Sequence, residues 1–317
     1  MKTTATIALG IVFGILLSAT NCDKKNDGEI NVKVCKAIEH EALNSVVAGM
    51  SDYLKKTNKN YKISVETAQG NAALAYQIIA KFASLSADVV VTIGTSPSQC
   101  AFKFAKDGKI KQVFSSVTNP NDVSKNLKGN NVSGVSNFVD LEPQIELFQR
   151  IQPSLKTLGI IYNTGEANSA YIVEKLKEVC AKKGVKLAEQ GISRISDVCQ
   201  AADKLSKSVD AIFISNDNLA LSGITTIVSI CVKNKIPVYV SDADQVANGC
   251  LAALGPNQYD IGVQTGKIVD RIAAGEDVNK IAVEYPQKTE LYLNKKAAQA
   301  LGITIPEDVI KRATRVL

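Results

Sequence analysis

The chain has 317 residues, more than the ~100–200 of one ordinary domain, with 45% hydrophobic and 21% charged residues. That composition excludes disordered and collagen-like chains, and the 37 basic residues are scattered among 31 acidic ones, so no basic stripe for nucleic acid emerges. A single histidine, His40, excludes a multi-histidine metal cage and sharply limits triad chemistry.

At the amino terminus, Lys2 precedes an uncharged apolar run from Ile7 to Ala19, about 13 residues, which suits a signal-peptide core and falls short of the ~20 needed to cross a bilayer as a helix. Residues 1–21 are expected to be a signal peptide and 22–29 a tether. Cys22 stands where a bacterial lipoprotein carries its lipid, although Leu17 stands too early for the usual leucine and Asn21 is larger than the usual Gly or Ala. A lipid-anchored protein outside the cytoplasm is expected, in the periplasm or on the outer face of the membrane; the alternative is an ordinary secretory signal with an incidental cysteine. The other six cysteines, Cys35, Cys100, Cys180, Cys199, Cys231 and Cys250, form no CxxC pair and lie in apolar stretches. They are expected to be small buried hydrophobes.

From Ile30 onward, β-branched runs alternate with amphipathic stretches. Strands are predicted at Ile30–Ile38, Lys62–Ala68, Asp88–Ile93 and Gln112–Val117, with helices at Ala42–Lys56, Asn71–Leu85 and Ser96–Lys106. The pattern resumes after Leu141–Ile151 with strands at Thr157–Tyr162, Lys186–Gln190, Ala211–Ser215 and Val238–Ser241. Helices between them are predicted at Ser169–Lys183, Asp197–Ser206 and Leu219–Asn234. Such alternation predicts parallel βαβ units in two α/β lobes, each a doubly wound sheet. A further helix is predicted at Gln258–Ala274 and short extended segments at Ile281–Pro286 and Glu290–Asn294, with hinges between the lobes at roughly Asn137–Pro143, Ala252–Gln258 and Pro286–Tyr292. The predicted division is 30–138 with 253–285 for the first lobe, and 139–252 with 286–317 for the second.

In open parallel sheets, ligands bind at the carboxyl ends of strands. Here those ends are polar: Glu39-His40-Glu41, Gln69-Gly70-Asn71, Gly94-Thr95-Ser96-Pro97 and Ser115-Ser116-Val117-Thr118 on one wall, with the 163–169, 215–218 and 241–244 segments on the other. Thr95 and Ser96 at a helix start would offer hydroxyls and free N–H groups to a carboxylate, or would simply cap the helix. Asp217 and Asp242 could accept from an ammonium group, or cap in turn. Together, donors on one lobe and acids on the other suit a zwitterion. No GxGxxG, Walker or GxSxG motif occurs, so phosphate-loop cofactors and hydrolase chemistry find no support, and no cofactor is expected.

The runs Glu39-His40-Glu41-Ala42-Leu43-Asn44, Thr67-Ala68-Gln69-Gly70-Asn71, Gly94-Thr95-Ser96-Pro97-Ser98-Gln99 and Val117-Thr118-Asn119-Pro120 resemble ABC-transporter substrate-binding proteins of the tryptophan/tyrosine-binding type. So do Tyr162-Asn163-Thr164-Gly165-Glu166-Ala167-Asn168-Ser169, Asp217-Asn218 and Leu301-Gly302-Ile303-Thr304-Ile305-Pro306. The resemblance runs in order from about Val32 to Pro306. It implies a type I periplasmic-binding fold, two Rossmann-like lobes on a three-crossing hinge, closing on an aromatic or hydrophobic amino acid for an ABC importer permease. By position it implies Thr95, Ser96, Ser116 and Thr118 around the carboxylate, Asp217 or Asp242 at the amine, and Glu39, His40, Gln69, Asn71, Asn168 and Asn218 lining the rest. Glu41 stands where Pro is common, Asn71 follows Gly70 where an acid is usual, and Asn119 replaces a frequent Asp. A monomer without nucleic-acid partners or enzymatic activity is expected. A nucleoside or sugar receptor of the same fold is the alternative, which the absence of Trp and the 5% aromatic content weaken for sugars. A lac-repressor-type regulator would need a helix-turn-helix where the export signal lies.

Overall fold

The computed structural model describes residues 28–317; the predicted signal peptide, Cys22 and all but the end of the predicted tether lie outside them. In chain order the first unit comprises β1 (Glu29–Lys36), α1 (Glu41–Lys55), β2 (Asn60–Thr67), α2 (Ala72–Ser84), β3 (Val89–Ile93), α3 (Thr95–Lys106), β4 (Gln112–Val117), α4 (Pro120–Val123) and β5 (Val132–Ser136). The second follows with α5 (Leu141–Ile151), β6 (Thr157–Asn163), α6 (Ala167–Lys182), β7 (Lys186–Ile192), α7 (Val198–Ser206), β8 (Ala211–Ile214), α8 (Asn218–Ser222), α9 (Ile224–Lys233), β9 (Val238–Val240) and β10 (Ala252–Gly255). The chain returns to the first unit with α10 (Gln258–Ala273). It ends in the second with β11 (Glu290–Leu293), α11 (Lys295–Leu301), α12 (Glu307–Arg312) and β12 (Arg315–Val316).

The first sheet has the order β2-β1-β3-β4-β5, all parallel, and the second β12-β11-β10-β9-β8-β6-β7. Central strands β3 and β4 are buried at every position, the pattern of a parallel sheet covered on both faces. The second sheet departs from the expected all-parallel form, because β11 runs antiparallel to β10. Each lobe has apolar clusters on both faces of its sheet. In the first, Val32, Val91 and Ile268 pack on one side and Phe82, Val90 and Phe114 on the other.

Helix α10 belongs to the first lobe although it follows the second in sequence, and it packs along α1. The two approach so closely that a Cβ at Gly262 would overlap the carbonyl oxygen of Val46. Three segments join the lobes: 137–140, 256–257 and 285–289. Glu284 anchors the last of these by bridging to Val135, with Ser136 N–H donating to the Glu284 carbonyl at 2.9 Å.

Several expectations need correction. The boundary at 252/253 cuts through β10, whose Ala252 and Ala253 pair with Tyr239 and Val240 of β9 and so belong to the second sheet. The helix expected over 219–234 is two helices meeting at Gly223, a poor helix interior residue. Strand β5, with its Ser-Gly-rich sequence, was not among the predicted strands. Among the described cysteines, Cys35, Cys180, Cys231 and Cys250 are buried, but Cys100 is half-buried and Cys199 exposed.

Candidate functional site

The carboxyl ends of the two sets of strands face each other across a cleft. On the first lobe, β1 leads to His40, the residue before α1, and β3 leads through Gly94 into α3. Gly94 has φ +95° and is the N-cap of α3, with Thr95 as the first helical residue, so neither Thr95 nor Ser96 caps that helix with its side chain as expected. The N–H groups of the first turn therefore keep no side-chain partner at their mouth. On the second lobe, β6 leads to the 163–166 loop, β8 to Asp217 and β9 to Asp242.

His40, Thr95 and Ser116 from one lobe and Asn168, Asn218 and Asp242 from the other line a narrow cavity of about 10 Å³, enough for roughly one water. Asn137, Asn216 and Gln258 complete its polar wall, and none of its lining residues is Lys or Arg. The lobes are in direct contact. His40 Nε2 lies 3.2 Å from Asn218 Oδ1, Asn216 Nδ2 donates to the Asn137 carbonyl at 3.2 Å, and Asn248 Nδ2 donates to Glu41 Oε2 at 3.2 Å.

The two candidate aspartates differ in kind. Asp217 is wholly buried and both its oxygens are engaged: Ala220 N–H donates to Oδ1 at 2.7 Å, and Asn163 N–H and the Ser169 hydroxyl donate to Oδ2 at 2.5 and 2.6 Å. Burial, then the charge of Glu166, push its carboxyl up. Asp242 is 1% exposed; one oxygen accepts from Asp244 N–H at 3.2 Å, and Oδ2 has no partner. Burial first, then Asp244, raise its carboxyl well above the ordinary range. An isolated buried carboxylate is costly until a cation or several donors meet it.

Glu166 organises the second wall. It accepts from Asn163 Nδ2 at 3.0 Å, Asn168 Nδ2 at 3.1 Å and Asn218 Nδ2 at 2.7 Å, so the Asn-x-Gly-Glu-Ala-Asn-Ser run is one hydrogen-bonded unit. On the first wall, the Ser116 hydroxyl donates to Gln258 Oε1 at 2.9 Å and the Thr118 hydroxyl to Asn137 Oδ1 at 3.2 Å. Thr118 thus sits behind Asn137 rather than on the cavity. Glu39 points away into an ion pair with the buried Lys36 at 2.7 Å, which holds its carboxyl below the usual range, and Lys36 also donates to Asn44 Oδ1.

Gln69, Asn71 and Ser96 line a second, larger cavity of about 500 Å³ at the cleft mouth. Asn71 Oδ1 caps α2, accepting from Ala73 N–H at 2.9 Å and Leu74 N–H at 3.1 Å. Ala37, Ile38, Ala68 and Leu219 give this cavity an apolar wall, and Asn218 reaches both cavities. Glu166, Asn216, Asn137 and Gln258 are the site residues that sequence reasoning did not assign. Their signal was their position, at strand ends or at the hinges.

The family model described as ABC transporter substrate binding protein matches residues 30–317. The tyrosine-binding protein of Clostridioides difficile (strain R20291) is 31% identical over 296 residues, covering 90% of this chain and 85% of that one. The structure of an ABC domain in complex with L-Trp from Streptococcus pneumonia is 29% identical with a TM-score of 0.86, over 91% of this chain and 100% of that one. The ligand-free, open structure of a substrate binding protein with adhesive properties from Clostridium difficile is 32% identical, covers 90% and 99%, and has a TM-score of only 0.67. In this chain the two walls of the cleft are hydrogen-bonded to each other, a closed arrangement. Built as two α/β lobes closed over a polar cleft, the chain belongs to the ABC transporter substrate-binding protein family.

Proposed function

We propose that the ligand captured between the lobes is an α-amino acid with an aromatic or hydrophobic side chain, delivered to the permease of an ABC importer. The observation that carries this reading is the unpartnered Oδ2 of Asp242, 1% exposed, in a small cavity with no Lys or Arg among its lining residues. An α-ammonium group would neutralise that carboxylate, whereas a neutral sugar would leave its charge uncompensated. Opposite it, the Thr95 hydroxyl and the first turn of α3 suit the ligand carboxylate, and the Ser116 hydroxyl joins them by turning from Gln258 toward the ligand. The apolar wall of Ala37, Ile38 and Leu219 in the larger cavity suits the side chain, with Gln69, Asn71 and Ser96 at its rim. The relatives that are a tyrosine-binding protein and an L-Trp complex support the same class. Seating the head group requires the lobes to stand slightly further apart than here, a swing that the three crossings permit.

Binding heats for L-tyrosine, L-tryptophan, L-leucine, a nucleoside and a hexose, titrated into the mature chain from Asp23, test the reading. Amino acids are expected to bind and the others not; a nucleoside or hexose binding alone overturns it. Export and anchoring through Cys22 belong to the same proposal, supported by the apolar leader and the polar segment after the cysteine. Cys22→Ala is expected to release the protein from membranes into the soluble fraction. Among the described residues no helix is long and apolar enough to cross a membrane.

A further inference from the structure

His40 is the chain's single histidine, and its surroundings determine which of its nitrogens carries a proton. Glu166 Oε2 accepts from Asn218 at 2.7 Å, and a carboxylate only accepts, so the Asn218 atom facing it is the NH₂ group. The other amide atom, Oδ1, faces His40 Nε2 at 3.2 Å and can only accept, so Nε2 is the donor. Neutral His40 is therefore the Nε2–H tautomer, with a bare lone pair on Nδ1. That atom is buried without a partner, and its ring lines the same small cavity as Asp242.

We infer that His40 is a proton-linked acceptor of the site: neutral, it closes the cleft through Asn218 and offers Nδ1 to an N–H of the ligand, and protonated, it turns that acceptor into a donor and favours release. The inference rests on the amino-acid reading above, because it is an ammonium group that Nδ1 would meet beside Asp242.

The groups around the ring bear on its charge. From its own lobe Lys36 opposes protonation, and Glu39 favours it while already paired with Lys36. Glu41 is engaged by Asn248 across the cleft. From the other lobe, Asp242 lines the same cavity, and Glu166 lies behind Asn218, its charge spread over the asparagine amides it accepts from. Loss of water around the ring outweighs the Asn218 hydrogen bond and the Glu39 charge and brings the imidazole in this arrangement down to about 4. A histidine that opening exposes to water titrates at ~6.5, so the closed state is favoured above that pH and loses ground as pH falls below it.

Two measurements on the mature chain from Asp23 test this. With one histidine, a ¹⁵N-imidazole spectrum is unambiguous: saturating L-tryptophan should give the Nε2–H tautomer and lower its titration midpoint by more than one pH unit from the ligand-free value. The Nδ1–H tautomer, or an unmoved midpoint with ligand bound, overturns the inference. Second, the Kd for L-tryptophan should weaken from pH 7.5 to 5.5 by about tenfold more in the wild type than in His40→Asn. The variant subtracts the titration of Asp217 and Asp242. Equal weakening in both proteins overturns the role of His40 while leaving the amino-acid reading intact. If neither L-tryptophan nor L-tyrosine binds at pH 7.5, the ligand reading fails and the inference with it.

Discussion

The Ser169 hydroxyl donates to Asp217 Oδ2 at 2.6 Å, and both residues are buried. Asp217 thereby joins the start of α6, the end of β6 and the start of α8 through three donors. Replacing it by alanine strands those donors, at roughly 1–3 kcal/mol for each buried polar group left unpaired. Asp217→Ala is expected to lower stability by about 3 kcal/mol or more, and Ser169→Ala by about 1 kcal/mol, read as lower urea midpoints with unchanged slope. A variant as stable as wild type would show that Asp217 is not a brace.

Asp242 should behave in the opposite way. Its unpartnered, buried carboxylate is an expense in the ligand-free closed form, so Asp242→Asn is expected to leave the melting temperature unchanged or raise it. The same substitution removes a charge-assisted hydrogen bond of about 1.5–3 kcal/mol, so the Kd for L-tryptophan should rise by about 10- to 150-fold. Calorimetric titration and a thermal melt on one sample give both numbers.

The contact between α1 and α10 leaves no room at Gly262 or at Gly49, where an added Cβ would meet the backbone of the facing helix. Gly262→Ala would gain helix propensity but must push the helices apart. A net loss of about 1–3 kcal/mol is expected, the range for overpacking. Denaturant unfolding measures it, and a stabilised variant would contradict the packing described.

Thiol reactivity reports burial directly. In the native mature chain Cys199 should react first with a thiol reagent and Cys100 slowly, since burial raises the latter's thiol. Burial pushes Cys35 and Cys231 up to about 12 and Cys180 to about 11, and raises Cys250 as well. Those four should react only after denaturation, and mass spectrometry of the labelled peptides distinguishes them.

Much of the fold was legible because buried parallel strands are written as unbroken apolar runs, such as Val89 to Ile93. Strand β5 was not, because it is buried through polar atoms that find partners far away: the Ser133 hydroxyl donates to the Ala282 carbonyl at 3.2 Å and that of Ser136 to the Thr118 carbonyl at 3.1 Å. The polar strand ends were visible as a set, but their division of labour was not. Asp217 and Asp242 look alike in sequence, each following an apolar strand. What separates them is Asn163 and Ser169, 54 and 48 positions before Asp217, whose donors reach one aspartate and not the other.

The placement of α10 has a consequence for how the chain comes into being. Tyr259 on α10 donates to Asp52 on α1 across 207 positions, and the first lobe's core is open until that helix arrives. As the polypeptide emerges from the ribosome, the lobe that begins first is completed after most of the other, and such late, non-local closure is slow. The first lobe thus stays without part of its core through most of the chain's synthesis, although its own first strand is made before any other.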